Sequence, residues 1–167
     1  MTSKERVLAA FARTEPDRVP FNYLGNPGIT ARLQAHFGLA DGDYEGLLQV
    51  LGVDFRGVGA AYVGPALHEQ IPDRSVDLWG IHRRYVEHPS GGYWDYCDFP
   101  LREATVEQVA DWPLPSPDDY DTSGVFDACR RCGQYAVNGA AGFGDIINGN
   151  GMLRGMEQTL IDLVTDD

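Results

Sequence analysis

Apolar residues recur every three or four positions in the first third of the chain, which is the spacing of amphipathic helices. The first apolar stripe follows a Thr-x-x-Glu capping box that begins at Thr2, and the second ends at Gly38. The third stripe lies between a capping residue, Asp43, and a terminating glycine, Gly52. These patterns predict three helices in succession.

Strand-like segments alternate with helical stripes along the chain. Residues 19–24, 53–62 and 135–137 are short runs of apolar and aromatic residues. A helix that begins after Thr122 or Ser123 precedes the last of these runs, and a strongly periodic helix over 152–164 follows it. This order predicts an α/β fold in which helices cross over between parallel strands.

Residues 76–121 interrupt the alternation. Two strand-like segments, 81–88 and 93–99, flank a Pro-Ser-Gly-Gly turn, which is a hairpin signal. A short helix over 105–112 follows and is stopped by prolines. We therefore predict a β-hairpin and proline-rich excursion from an α/β core.

The composition is typical of one globular domain, with 43% hydrophobic and 23% charged residues among 167. The formal net charge of -12 argues against a nucleic-acid partner, because phosphate neutralisation needs clustered Lys and Arg. The chain has neither an apolar run long enough to span a membrane nor a signal-peptide pattern, so we expect no membrane partner and a cytoplasmic location. Three cysteines are too few for a disulfide framework, which agrees with a reducing compartment.

Several short motifs then occur in a recognisable order. They lie at residues 3–10, 15–20, 52–54, 77–80, 111–113 with 118–121, and 153–157. In this order they resemble, over residues 1–167, the start of the uroporphyrinogen decarboxylase superfamily, particularly its uncharacterised and methyltransferase-like branch. The resemblance implies a (β/α)8 TIM-type barrel. Because such a barrel needs about 250 residues, the chain is expected to supply a partial barrel, the N-terminal half, with residues 76–121 as the excursion.

The resemblance implies either of two activities on a small-molecule substrate. One is decarboxylation, the lyase reaction of porphyrin biosynthesis, which in this family needs no cofactor. The other is methyl transfer with a corrinoid protein as partner, for which zinc would be bound by a C-terminal half. The family's substrate-binding arginines are replaced here by residues 24–28, and its aspartate by residues 59–62. We therefore assign no catalytic residue, no cofactor and no metal ligand within the chain.

The candidate binding residues follow from the barrel architecture. In a parallel barrel the site lies at the carboxyl ends of the strands. Each candidate has an alternative as a capping, packing or surface residue, and the Cys129-x-x-Cys132 spacing is interpreted as structural because no second pair or nearby His accompanies it. The predicted substrate-binding residues are Asn22, Tyr23, Asn26, Tyr62, Asn138, Phe143 and Asp145.

A second class of function remains open. A half-barrel exposes a strand edge and the inner surfaces of its helices, and such surfaces favour association. The alternative to an enzyme is thus a non-catalytic fragment or binding module that needs a partner, either a second copy of itself or a complementary half-barrel.

Overall fold

The structure is a computed structural model, and it describes residues 1–89, 91–139 and 145–165. It shows a mixed α/β protein that divides into two compact units. Unit 1 comprises Met1–Ala61, Pro89–Gly91 and Asp121–Ala140, and unit 2 comprises Tyr62–His88, Gly92–Tyr120 and Ala141–Asp167.

Seven helices and seven short strands lie within the described residues. The helices are α1 (Ser3–Phe11), α2 (Pro27–His36), α3 (Tyr44–Val50), α4 (Val106–Ala110), α5 (Val125–Arg131), α6 (Ile146–Asn150) and α7 (Met156–Thr165). The strands are β1 (Phe55–Val58), β2 (Ala61–Tyr62), β3 (Ser75–Val76), β4 (His82–Val86), β5 (Tyr93–Tyr96), β6 (Tyr120–Asp121) and β7 (Ala136–Gly139).

The first three helices begin and end where the sequence predicts. Thr2 and Glu5 form the reciprocal capping box of α1, and Asp43 accepts a hydrogen bond from the backbone N–H of Gly46 at the start of α3. Gly38 and Gly52 follow α2 and α3 with φ of 68° and 69°, a backbone conformation that disfavours residues with a Cβ atom. These boundaries are confirmed because local side-chain chemistry determines them.

The parallel pair of strands in unit 1 is also confirmed. β1 and β7 pair in parallel, with Phe55 opposite Ala136 and Val58 opposite Gly139. Each has only the other as a strand neighbour, and the described residues form no closed barrel.

Two of the predicted strands need correction. Residues 19–24 are not a strand: Pro20 has no N–H, and the N–H of Phe21 donates to the side chain of Asp54. The segment makes one backbone bond to the start of the sheet, from the N–H of Asp54 to the carbonyl of Phe21. The predicted strand over 53–62 is interrupted at Gly59 and divides into β1 and β2.

Unit 2 contains the predicted hairpin. β4 and β5 pair antiparallel, with Tyr85 opposite Trp94, and β3 adds a third strand beside β4. A capping box between Thr105 and Gln108 starts α4, which confirms the short helix before the prolines.

The last third of the chain differs from the prediction in its helix boundaries. Gly124, and neither Thr122 nor Ser123, is the N-cap of α5, and it makes no side-chain capping bond. The predicted helix over 152–164 begins as a π-helical turn, Gly151–Gly155, before α7. Residues 138–151 form a glycine-rich stretch that the sequence predicts as a loop. α6 occupies part of this stretch, and its residues 140–144 lie outside the described residues.

A small apolar core holds unit 2. Its buried members are Ile81, Leu101 and Leu153, against which Trp79 and Trp112 pack. Among the described residues, no helix combines the length and the apolar character that crossing a membrane would require.

Candidate functional site

The carboxyl ends of β1 and β7 are the candidate binding edge of unit 1. Asn138, one residue before the end of β7, lies opposite Gly57 in the parallel register, and its side chain is exposed. A Cβ atom at Gly57 would lie 3.8 Å from Oδ1 of Asn138, in ordinary van der Waals contact, so this amide lies directly beside the glycine. The Asn138 side chain makes no hydrogen bond to the described residues.

The segment before α2 carries three of the predicted binding residues. Asn26 caps α2 by accepting a 2.8 Å hydrogen bond from the N–H of Ile29, and the hydroxyl of Tyr23 lies 3.0 Å from that of Thr30. Oδ1 of the exposed Asn22 accepts a 2.9 Å bond from the N–H of Tyr23, which leaves the side-chain NH₂ of Asn22 without a described partner. Asn26 and Tyr23 therefore shape the segment, while Asn22 can donate to a ligand.

Two other predicted residues belong to unit 2. Tyr62 donates a 2.7 Å hydrogen bond to the carbonyl of Pro65, and burial together with Asp119 raises its pKa. Asp145 caps α6 by accepting from the N–H of Asn148, which lowers the pKa of its carboxyl group. Both side chains thus have local structural roles.

The remaining predicted residue, Phe143, lies outside the described residues.

The strongest electrostatic feature is an ion network at the amino end of β1. The carboxylate of Asp54 is fully buried, and it accepts hydrogen bonds of 2.6 Å from Arg6, 2.7 Å from Arg18 and 2.8 Å from the backbone N–H of Phe21. Burial opposes the charged form, but these hydrogen bonds outweigh it and lower the pKa of Asp54 to about 2. Arg6 also binds Asp17 at 2.6 Å and lowers the pKa of that carboxyl group.

A further arginine beside the strands is also paired with a carboxylate. Arg56 on β1 is buried, forms a bidentate ion pair with Glu45 at 2.8 and 2.9 Å, and stacks 3.7 Å from the ring centroid of Tyr135. Arg6, Arg18 and Arg56 are therefore all neutralised by carboxylates and do not offer free guanidinium groups to an anionic ligand.

A second network joins the motifs of unit 2. The indole N–H of Trp112 donates to the carbonyl of Trp79, and Gly80 lies so close that a Cβ there would be 2.5 Å from the Trp112 ring. Arg154 donates to the carbonyls of Leu101, Arg102 and Ala104 and forms an ion pair with Asp162 at 2.6 Å.

Among the described residues, no third metal ligand accompanies the Cys-x-x-Cys pair. Cys129 lies on α5, Cys132 ends that helix, and both are half-buried free thiols. Within residues 1–89, 91–139 and 145–165, no three His, Cys, Asp or Glu side chains are placed to hold a metal ion.

Sequence reasoning missed the Asp54 network, although one signal for it was present. Asp54 lies between Val53 and an apolar strand, and a carboxylate in such a segment must be paired if it is buried. Its partners, Arg6 and Arg18, are distant in sequence, so spacing alone could not identify them.

Comparisons of the chain with models of protein families, with curated proteins and with solved structures each found no match.

Proposed function

We propose that the chain forms part of a (β/α)8 barrel enzyme of the uroporphyrinogen decarboxylase superfamily that acts on a small molecule in the cytoplasm. The supporting observation is that the motifs behind the resemblance meet in space. Arg6, Arg18 and Asp54, from three separate motifs, share one ion network, while Trp79 contacts Trp112 in the other unit.

The polarity of the strand ends supports the same proposal. Asp54 immediately precedes β1, so its charges lie at the amino end of the parallel pair. Asn138 lies at the carboxyl end, and its amide makes no hydrogen bond to the described residues. Barrel enzymes keep stabilising residues at the amino ends of the strands and ligand-binding residues at the carboxyl ends. We therefore assign substrate contact to Asn138. Asn22 is added because its side-chain NH₂ has no described partner, although Phe21 beside it bonds Asp54 at the amino end.

Of the two activities, methyl transfer is favoured over porphyrinogen decarboxylation because the arginines near the strands are already paired with carboxylates. A porphyrinogen carries several carboxylates and requires free cationic partners. The strand-proximal arginines Arg6, Arg18 and Arg56 are already paired with Asp or Glu. A corrinoid protein is the partner that methyl transfer would require, and we route no step through zinc because the described residues do not hold it.

The test is a titration of the 167-residue chain followed by NMR of its side-chain amides. Methylcobalamin is expected to shift the NH₂ signals of Asn22 and Asn138 but not that of Gln134, which precedes β7 at its amino end. Uroporphyrinogen is expected to leave all three unchanged. Shifts with uroporphyrinogen alone would reverse the choice of activity. If neither compound shifts Asn22 or Asn138, the enzyme proposal is wrong.

The second candidate is a binding module completed by a partner, and the open sheet favours it. Parallel sheets are normally covered on both faces and paired at their edges. Within the part of the chain that the structure describes, β1 and β7 pair only with each other, and Val137 on β7 is 39% exposed. Size-exclusion chromatography with light scattering is expected to show self-association, or a stable complex with a co-expressed complementary half-barrel. A monomer that binds no such half at any concentration would exclude this candidate.

A further inference from the structure

A cavity in unit 2 is lined by residues to which the proposed activity assigns no role. Its volume is about 380 Å³, within the range of roughly 300–1,000 Å³ that small-molecule sites occupy. Leu101, Val109, Leu153 and Leu163 form apolar walls, and Asn150, Arg154 and Asp162 supply polar groups.

The floor of the cavity is built by the π-helical turn Gly151–Gly155. Such turns occur in helices mostly as single insertions and are frequent at functional sites. The carbonyl of Leu153 within the turn accepts a 2.9 Å hydrogen bond from the N–H of Leu101, which fixes one wall to the floor. The site is therefore formed without a ligand.

The charges that line the cavity balance each other. Arg154 and Asp162 form an ion pair, and Gln158 donates a further 2.7 Å hydrogen bond to Asp162. The Nε and Nη1 atoms of Arg154 are fully used, whereas Nη2 makes only a 3.4 Å contact with Asp162. One guanidinium edge thus keeps a donor for a ligand oxygen, while the neighbouring carboxylate repels an anion.

Asn150 adds the second polar contact. It is the last residue of α6, its side chain is exposed, and it makes no hydrogen bond to any described side chain or backbone group. Its amide can donate to a ligand carbonyl and accept from a ligand N–H or O–H.

We propose that this cavity binds a neutral small molecule with an apolar body and one amide or hydroxyl group. The apolar body contacts the Leu and Val side chains, and the polar group contacts Asn150 and the free edge of Arg154. The proposal does not depend on the superfamily assignment or on either activity proposed above.

The test uses two probes of similar skeleton, N-benzylbenzamide and 4-benzylbenzoate, with methyl NMR of the 167-residue chain. The neutral amide is expected to shift the methyl signals of Val109, Leu153 and Leu163 saturably, with a dissociation constant on the order of 1 mM or lower. The carboxylate is expected to bind at least about fivefold more weakly because of Asp162. Equal or tighter binding of the carboxylate contradicts the ligand class.

Two matched substitutions on α7 distinguish the cavity from its apolar surroundings. Leu163 lines the cavity and Leu160 does not, yet both are largely exposed, so neither change to Trp should prevent folding. L163W is expected to abolish binding of the amide and L160W to leave it unchanged. N150A is expected to weaken binding about fivefold.

Three results would overturn the proposal. The first is saturable binding that survives L163W, and the second is an equal loss in L160W. The third is a dependence of the Leu163 methyl shifts on protein concentration without probe, which would mean that a second copy of the chain covers the cavity.

Discussion

The two units hold their motif residues together by different physics. In unit 1 the central element is a buried charge, Asp54, surrounded by two guanidinium groups and a backbone N–H. In unit 2 it is an apolar core around Leu153, with Arg154 bound mainly to backbone carbonyls at its edge. The difference teaches that conspicuous charged motifs can be structural, because most of their donors and acceptors are used by each other or by backbone groups.

The largest expected effect is the loss of the Asp54 carboxylate. D54A leaves Arg6 buried without its partner, and removing one member of a buried pair typically destabilises a protein by about 4 kcal/mol. The free energy of unfolding in urea, followed by circular dichroism, measures the change. Hydrogen exchange over residues 53–58 should increase in parallel.

The matched control is D41A, because Asp41 is exposed. Its effect should stay within about 0.5 kcal/mol. If D54A costs no more than D41A, buried charge is not what holds unit 1.

Truncation of the apolar core should cost somewhat less. L153A removes a side chain that is 6% exposed, and we expect a loss of about 3 kcal/mol from lost burial and the residual cavity. All three tryptophans lie in unit 2, so the urea midpoint of Trp fluorescence measures this effect directly. L160A, at a position that is 51% exposed, is the control and should change the midpoint little.

Acid should weaken the charged region. Asp54 has a pKa of about 2 in the folded chain and 3.8 as its ordinary value, so its contribution is fully present above about pH 4. As the pH falls through about 2 the carboxylate is protonated and about 2 kcal/mol of stability is lost. Urea titrations between these pH values measure the loss.

D54N cannot titrate at this position and serves as the reference for the pH series. Its stability should vary less with pH than that of the unmodified chain. Identical pH profiles for the two proteins would show that Asp54 does not contribute to the acid sensitivity.

The smallest expected effect concerns the polar edge of the apolar region. R154K keeps the positive charge, but an ammonium cannot reach Asp162 and the carbonyls of Leu101 and Arg102 at once, so we expect a loss of about 1.5 kcal/mol. The Trp fluorescence midpoint in urea is the measurement, with R84K as control because Arg84 is exposed and belongs to the same unit. An effect of R154K as large as that of L153A would show that charged contacts stabilise unit 2 as strongly as its apolar core does, which contradicts the comparison with unit 1.

Local features of the fold were predictable from the sequence. The helix caps at Thr2, Asp43 and Thr105 and the hairpin of β4 and β5 depend on residues a few positions apart, and the structure confirms them. The predicted strand over 19–24 failed because Pro20 and the side chain of Asp54 replace the backbone ladder there, an interaction across more than thirty positions.

The predicted substrate contacts stay a prediction, but the structure shows where the individual residues lie. Asn138 lies near the carboxyl end of β7, as the barrel argument expects, whereas Asn22 lies in a segment that is not a strand. Asn26, Tyr62 and Asp145 instead make local hydrogen bonds, because Asn, Tyr and Asp side chains serve caps and turns as readily as ligands. The cavity beside Leu163 could not be predicted, since it depends on a π-helical turn for which the sequence has no clear signal.

The parallel register of β1 and β7 also has a consequence for the time course of folding. Phe55 and Ala136 must meet across about eighty intervening residues, so the sheet closes a long loop before it gains any pairing. Helices such as α1 and α3 need only their own neighbours and can form within microseconds. During synthesis β1 is made well before β7, so residues 55–58 have no parallel partner strand until residues 136–139 have been added.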